Sequence, residues 1–149
     1  MDAERIRAYL LTLPHAVETM QWGATLVFWT CDKAIGGKMF AILNFNEPSA
    51  SEVAAGKPHR ILSYAAGPDR FPDLIELEGL TPAPYLARAH WIAADRWDVF
   101  TPSEWRRELA AAHTLITAKL PPRTRKALAL PPAELKRLIA ARRKHLANR

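Results

Sequence analysis

The sequence predicts an α+β domain: a twisted antiparallel sheet of about five strands, packed against N- and C-terminal helices, plus a basic C-terminal helix. Three observations predict it. Apolar residues recur at helical spacing at both ends of the chain, whereas the middle holds short runs rich in β-branched and aromatic residues. Two of those runs flank a Gly36-Gly37 pair, which signals an antiparallel hairpin. At 149 residues and 49% hydrophobic, the chain suits one core with a short appendage.

Asp2 caps a first helix whose Ile6, Tyr9, Leu10 and Leu13 share one face, and Pro14 ends it. Ala16–Trp22 is a strand closed by Gly23, and Leu26–Cys31 is a second. Asp32–Gly37 supplies the hairpin turn, its glycines free to adopt positive φ. Lys38–Phe45 is the third strand. Asn46–Pro58 is small and polar and reads as a loop. Arg60–Ala65 is a fourth strand. Pro68 opens a short helix that Gly79 terminates, Thr81–Tyr85 is rigid and extended, and His90–Ala94 makes the last strand.

Thr101-Pro102-Ser103-Glu104 is the strongest helix start: a threonine cap, a proline at the first helical position and a glutamate three residues on. Trp105, Leu109, Ala112, Leu115 and Ile116 then form the buried face, and Pro121-Pro122 stops the run. After a second proline pair, Pro131-Pro132, a helix from about Ala133 to Leu146 carries a narrow stripe of Leu135, Leu138, Ile139 and Leu146. Lys136, Arg137, Arg143 and Lys144 lie opposite that stripe.

The net charge of +6 is unevenly placed. Residues 1–118 hold 11 Lys and Arg against 14 Asp and Glu, a net −3, and residues 119–149 hold 10 against Glu134 alone, a net +9. Such a split suits a polyanionic partner, nucleic acid or an anionic membrane surface, or else a solubilising tail. No apolar run reaches the length of a membrane span, and Met1–Arg7 is not a secretory signal, so a cytoplasmic protein is expected.

No catalytic signature stands out, and neither a cofactor nor a metal is expected. His15, His59, His90, His113 and His145 never fall at ligand spacing, and the lone Cys31 reads as a buried thiol. Trp22, Trp29, Trp91 and Trp105 are expected in the core, with Trp97 the most exposed.

The pieces Leu10-x-x-Leu13-Pro14-x-Ala16-x-Glu18, Trp22-Gly23, Phe28, Gly37-Lys38-Met39-Phe40-Ala41, Pro84-Tyr85, His90-Trp91 and Leu120-Pro121 resemble, in that spacing, the MmcQ/YjbR family of small bacterial proteins. The likeness runs from about residue 4 to 126. This divides the chain into a domain over 1–126 and a basic helical extension over 127–149. The resemblance implies a frataxin-like fold and a DNA-binding role in which β-hairpins form a double wing. Two features depart from the family: no lysine lies in Ile61–Gly67, and Ala112-His113 stands where Ser-Tyr is usual.

Two readings of function follow. In the first, a non-enzymatic protein contacts DNA phosphates with weak sequence specificity through Lys38, Arg123, Arg125, Lys126, Lys136, Arg137, Arg143 and Lys144. In the second, Trp22, Lys38, His90 and Trp91 form a small pocket for an anionic ligand, and the basic helix docks its leucines on a protein partner or on its own body.

Overall fold

The structure is a computed structural model and describes residues 1–57 and 59–148. Pro58, the last residue of the predicted 46–58 loop, lies outside the described residues. Helix α1 (Ala3–Leu10) leads into β1 (Val17–Gln21), β2 (Thr25–Trp29) and β3 (Met39–Asn44). A short α2 (Ala50–Ala54), β4 (Leu62–Ala65), α3 (Phe71–Leu74), β5 (Leu80–Pro82) and β6 (Trp91–Ala94) follow. Three helices close the chain: α4 (Pro102–Thr117), α5 (Pro122–Leu128) and α6 (Pro132–Ala147).

The strands form one six-stranded sheet in the order β1-β2-β3-β4-β6-β5, and every pairing is antiparallel. Strand side chains alternate between faces. One face therefore gathers Leu26, Phe28, Ala41, Leu43, Leu62, Tyr64, Ile92 and Ala94, all buried. Ile6 and Leu10 of α1 and Trp105, Leu109, Ala112 and Ile116 of α4 complete this core. Arg7 of α1 donates to Glu18 of β1 at 2.9 Å, fixing the first helix to the edge strand.

The capping box of α4 forms as its sequence requires: the Glu104 amide donates to Thr101 Oγ1 at 3.2 Å, and the Thr101 amide donates to Glu104 Oε1 at 2.9 Å. A bulge between Phe28 and Trp29 leaves Phe40 unpaired in β3. Phe40 and Ala41 are consequently both buried, and the Phe40 ring meets His113 of α4 edge-on at 5.1 Å.

Several details differ from the sequence-based expectation. The sheet has six strands rather than about five, because Leu80–Pro82 pairs with β6. The stretch 46–58 contains α2, whose start Ser49 caps by accepting the Glu52 amide at 3.2 Å. Each proline pair begins a helix as well as ending the preceding segment, with Pro122 and Pro132 at first helical positions. A boundary between residues 126 and 127 therefore falls inside α5.

Trp22 is not in the core. It sits at the β1–β2 tip, 68% exposed, with φ of 50°. Asn46 braces that tip, donating to Thr25 Oγ1 at 3.1 Å and accepting the Ala24 amide at 3.1 Å. Trp97, expected near solvent, is half-buried against Trp105, with ring centroids 5.4 Å apart.

Candidate functional site

The β2–β3 turn is where the basic helices meet the sheet. Asp32 opens a 3-10 turn (Lys33–Ile35) by accepting the Ala34 amide at 2.8 Å. Gly36 follows with φ of 93°, and Gly37 lies so close to the chain that a Cβ there would stand 1.9 Å from the Cys31 carbonyl oxygen. Thr124 of α5 donates to the Ile35 carbonyl at 2.8 Å, and Arg143 of α6 donates to Asp32. Leu135 of α6 is buried, with Leu138 and Ile139 half-buried. Leu135, Leu138 and Ile139 of the leucine stripe thus dock on the chain's own body, over this turn, whereas Leu146 is exposed.

The cations of α5 and α6 divide by what they touch. Arg125 donates to the Ala118 carbonyl and Lys38 Nζ to the Lys119 carbonyl at 3.3 Å, so both stand where the end of α4 is most negative. Arg143 is paired with Asp32. Arg123, Lys126, Lys136, Arg137 and Lys144 are exposed and make no ion pair among the described residues. Arg137 and Lys144, seven residues apart, share one face of α6. Arg123 and Arg142 line a groove of about 360 Å³ between α5, α6 and the turn.

The four residues of the smaller predicted pocket are dispersed. Trp22 lies at one end of β2, whereas Lys38 pairs with Thr30 at the other, accepting the Thr30 amide at 2.8 Å. His90 stands at the start of β6, with φ of 61°, its ring edge-on to Phe71 at 5.4 Å. Trp91 is buried in the core.

A cavity not anticipated from the sequence does form. It measures about 540 Å³ and lies between α6, the start of β1 and the end of β2. Val17, Ile35, Leu128, Leu130, Leu135 and Ile139 give it apolar walls, and His15, Asp32, Lys136 and Arg143 contribute its polar groups. Cys31 is also in the lining. Burial pushes its thiol up to about 11, so it stays protonated near neutral pH. No run of sequence signals this cavity, because its walls come from three distant segments.

The two departures from the family pattern are also placed. Ala112 and His113 face inward, and His113 Nε2 donates to the Pro14 carbonyl at 2.9 Å, so that change alters the core beneath α1. Burial lowers the His113 pKa. Gly67, which ends the lysine-free segment, packs its backbone against Leu115.

Among the described residues, no group of three or more His, Cys, Asp or Glu side chains is placed to hold a metal ion, and no helix is long and apolar enough to cross a membrane. No curated protein matches the chain. The solved structure of Deinococcus radiodurans protein DR2400, described by its domain of unknown function DUF419, shares the fold with a TM-score of 0.67 at 24% identity, over 86% of this chain and 88% of that one. The family model named YjbR matches residues 11–115, from the end of α1 to the last turns of α4. With that model spanning most of its length and the six-stranded sheet in place, the chain belongs to the YjbR family.

Proposed function

We propose that this chain binds nucleic acid without strong sequence preference, through phosphate contacts on α5 and α6. One observation carries the reading: a helical extension whose exposed Arg123, Lys126, Lys136, Arg137 and Lys144 face solvent, with Glu134 its sole acid. Phosphates are recognised mainly by such side chains, and their release of counterions makes binding salt-dependent. Lys38 and Arg125 contribute less, since both already serve the end of α4. The β2–β3 turn is covered by α5 and α6, so the proposed contact surface is the helices rather than that hairpin.

The proposed role is binding rather than catalysis, in a cytoplasmic setting where Cys31 remains a thiol. The test is a titration of the full chain against duplex and single-stranded DNA at several salt concentrations. Replacing Arg137 and Lys144 by Glu should flatten the slope of log affinity against log salt by about 1.8 on duplex, about 0.9 for each phosphate no longer neutralised. Both positions are exposed, so folding should be unaffected. An unchanged slope would remove α6 from the interface.

A further inference from the structure

We propose that the cavity beneath α6 is a binding site for a small organic monoanion with an apolar body, of the class of medium-chain carboxylates. Its volume of about 540 Å³ falls in the range of small-molecule sites, and such sites combine apolar walls with a few fixed polar groups. The walls here follow that pattern. Leu128, Leu135 and Ile139 come from the helical extension, and Val17 and Ile35 from the sheet side.

The polar groups select the charge. Asp32 and Arg143 neutralise each other, and Asp32 is also held by the Ala34 amide. Lys136 makes no ion pair among the described residues, so the lining keeps one unpaired cation beside apolar surface. A single anionic head on an apolar body meets both conditions. Free phosphate would leave the walls wet, and an uncharged chain would leave Lys136 unpaired. His15 stands at the same cavity with φ of 60°, a left-handed conformation unusual for a residue bearing a side chain. The protonated Cys31 thiol adds apolar surface to the site and no nucleophile.

The site shares Lys136 with the proposed phosphate contacts but not Arg137 or Lys144, and its test does not involve DNA. Isotope-labelled full-length protein is titrated with octanoate, 1-octanol and inorganic phosphate, and amide shifts are followed by NMR. Octanoate should give saturable shifts at Ala16, Val17, Ile139 and Ala140; 1-octanol should bind more weakly, and phosphate should leave these residues unmoved. Lys136→Gln should weaken octanoate about fivefold, the effect of removing one exposed charge interaction worth ~1 kcal/mol. Ala140 is exposed on α6 and lines the cavity, so Ala140→Phe should narrow it and weaken octanoate binding. Octanoate shifts that never saturate, or that saturate elsewhere, overturn the proposal, as does 1-octanol binding equal to octanoate. Should Ala140→Phe disturb α6, the Lys136→Gln comparison decides alone, and unchanged affinity there overturns the anionic class.

Discussion

Arg143, near the end of the last helix, donates to Asp32, which starts the β2–β3 turn 111 residues earlier. The Asp32 side chain is 9% exposed and that of Arg143 is 65% exposed, so the carboxylate depends on this partner more than the guanidinium does. The pair ties the basic extension to the sheet.

Arg143→Ala should therefore loosen α6 without unfolding the domain. Because the arginine is largely solvated, a loss of only about 1 kcal/mol is expected. Amide hydrogen exchange in α6 should accelerate while exchange in β2 and β3 stays slow. Unaltered exchange in α6 would show that Leu135 and Ile139 hold the helix alone.

Trp105 is fully buried, donates from Nε1 to the Trp97 carbonyl at 2.8 Å, and packs edge-on against Phe100 at 5.0 Å. Trp105→Ala should cost about 3–5 kcal/mol in denaturant unfolding. Trp22→Ala, at the exposed hairpin tip, should stay within about 0.5 kcal/mol of wild type. Similar losses at the two positions would contradict the packing described for α4.

His113 makes stability depend on pH. Burial holds its folded pKa below the ordinary 6.5, while the Pro14 carbonyl acts in the other direction. As pH falls through 6.5, the unfolded chain takes up this proton first, so stability declines from there towards the lower folded pKa. His113→Leu should lose about 1 kcal/mol at pH 8, where its hydrogen bond is missed, and the gap to wild type should narrow as the solution is acidified. Glu18, lowered by its bond with Arg7, acts in a separate window below 4.5. A gap constant between pH 8 and 5 would contradict the assignment to His113.

Ending the chain after Leu130 removes six cations and Glu134, which takes the net charge from +6 to +1. It also uncovers Val17, Ile35 and Leu128 where Leu135 and Ile139 had lain. The truncated domain should unfold cooperatively but with about 2 kcal/mol less stability, and should bind more of an apolar dye than wild type does. Full stability after truncation would show that α6 contributes no packing.

Local signals in the sequence are legible because their partners lie nearby. Thr101 and Glu104 form the expected capping box, and the runs beside Gly36-Gly37 pair as a hairpin. The elements that escape a sequence reading depend on distant partners. Leu80–Pro82 is a strand because β6 supplies its hydrogen bonds, and Arg123–Leu128 is helical although its proline pair reads as a stop. Trp22 is the residue type of a core but occupies an exposed turn. Periodicity puts the cations of α6 opposite its leucines, yet Arg143 turns to Asp32 on the body, and the length of β2 separates Trp22 from Lys38. Nor can periodicity reveal a cavity assembled from residues 15, 35 and 139.

The late position of α6 also matters while the protein is being made. Asp32 leaves the ribosome 111 residues before Arg143. At about 5–20 residues per second, that is an interval of roughly 6–22 s in which the hairpin exists without its cover. During that time Val17 and Ile35 are bare to solvent and to other nascent chains. The final α-helix is thus what retires an aggregation hazard, and translation that stalls before Leu135 should yield a folded domain that self-associates through Val17, Ile35 and Leu128.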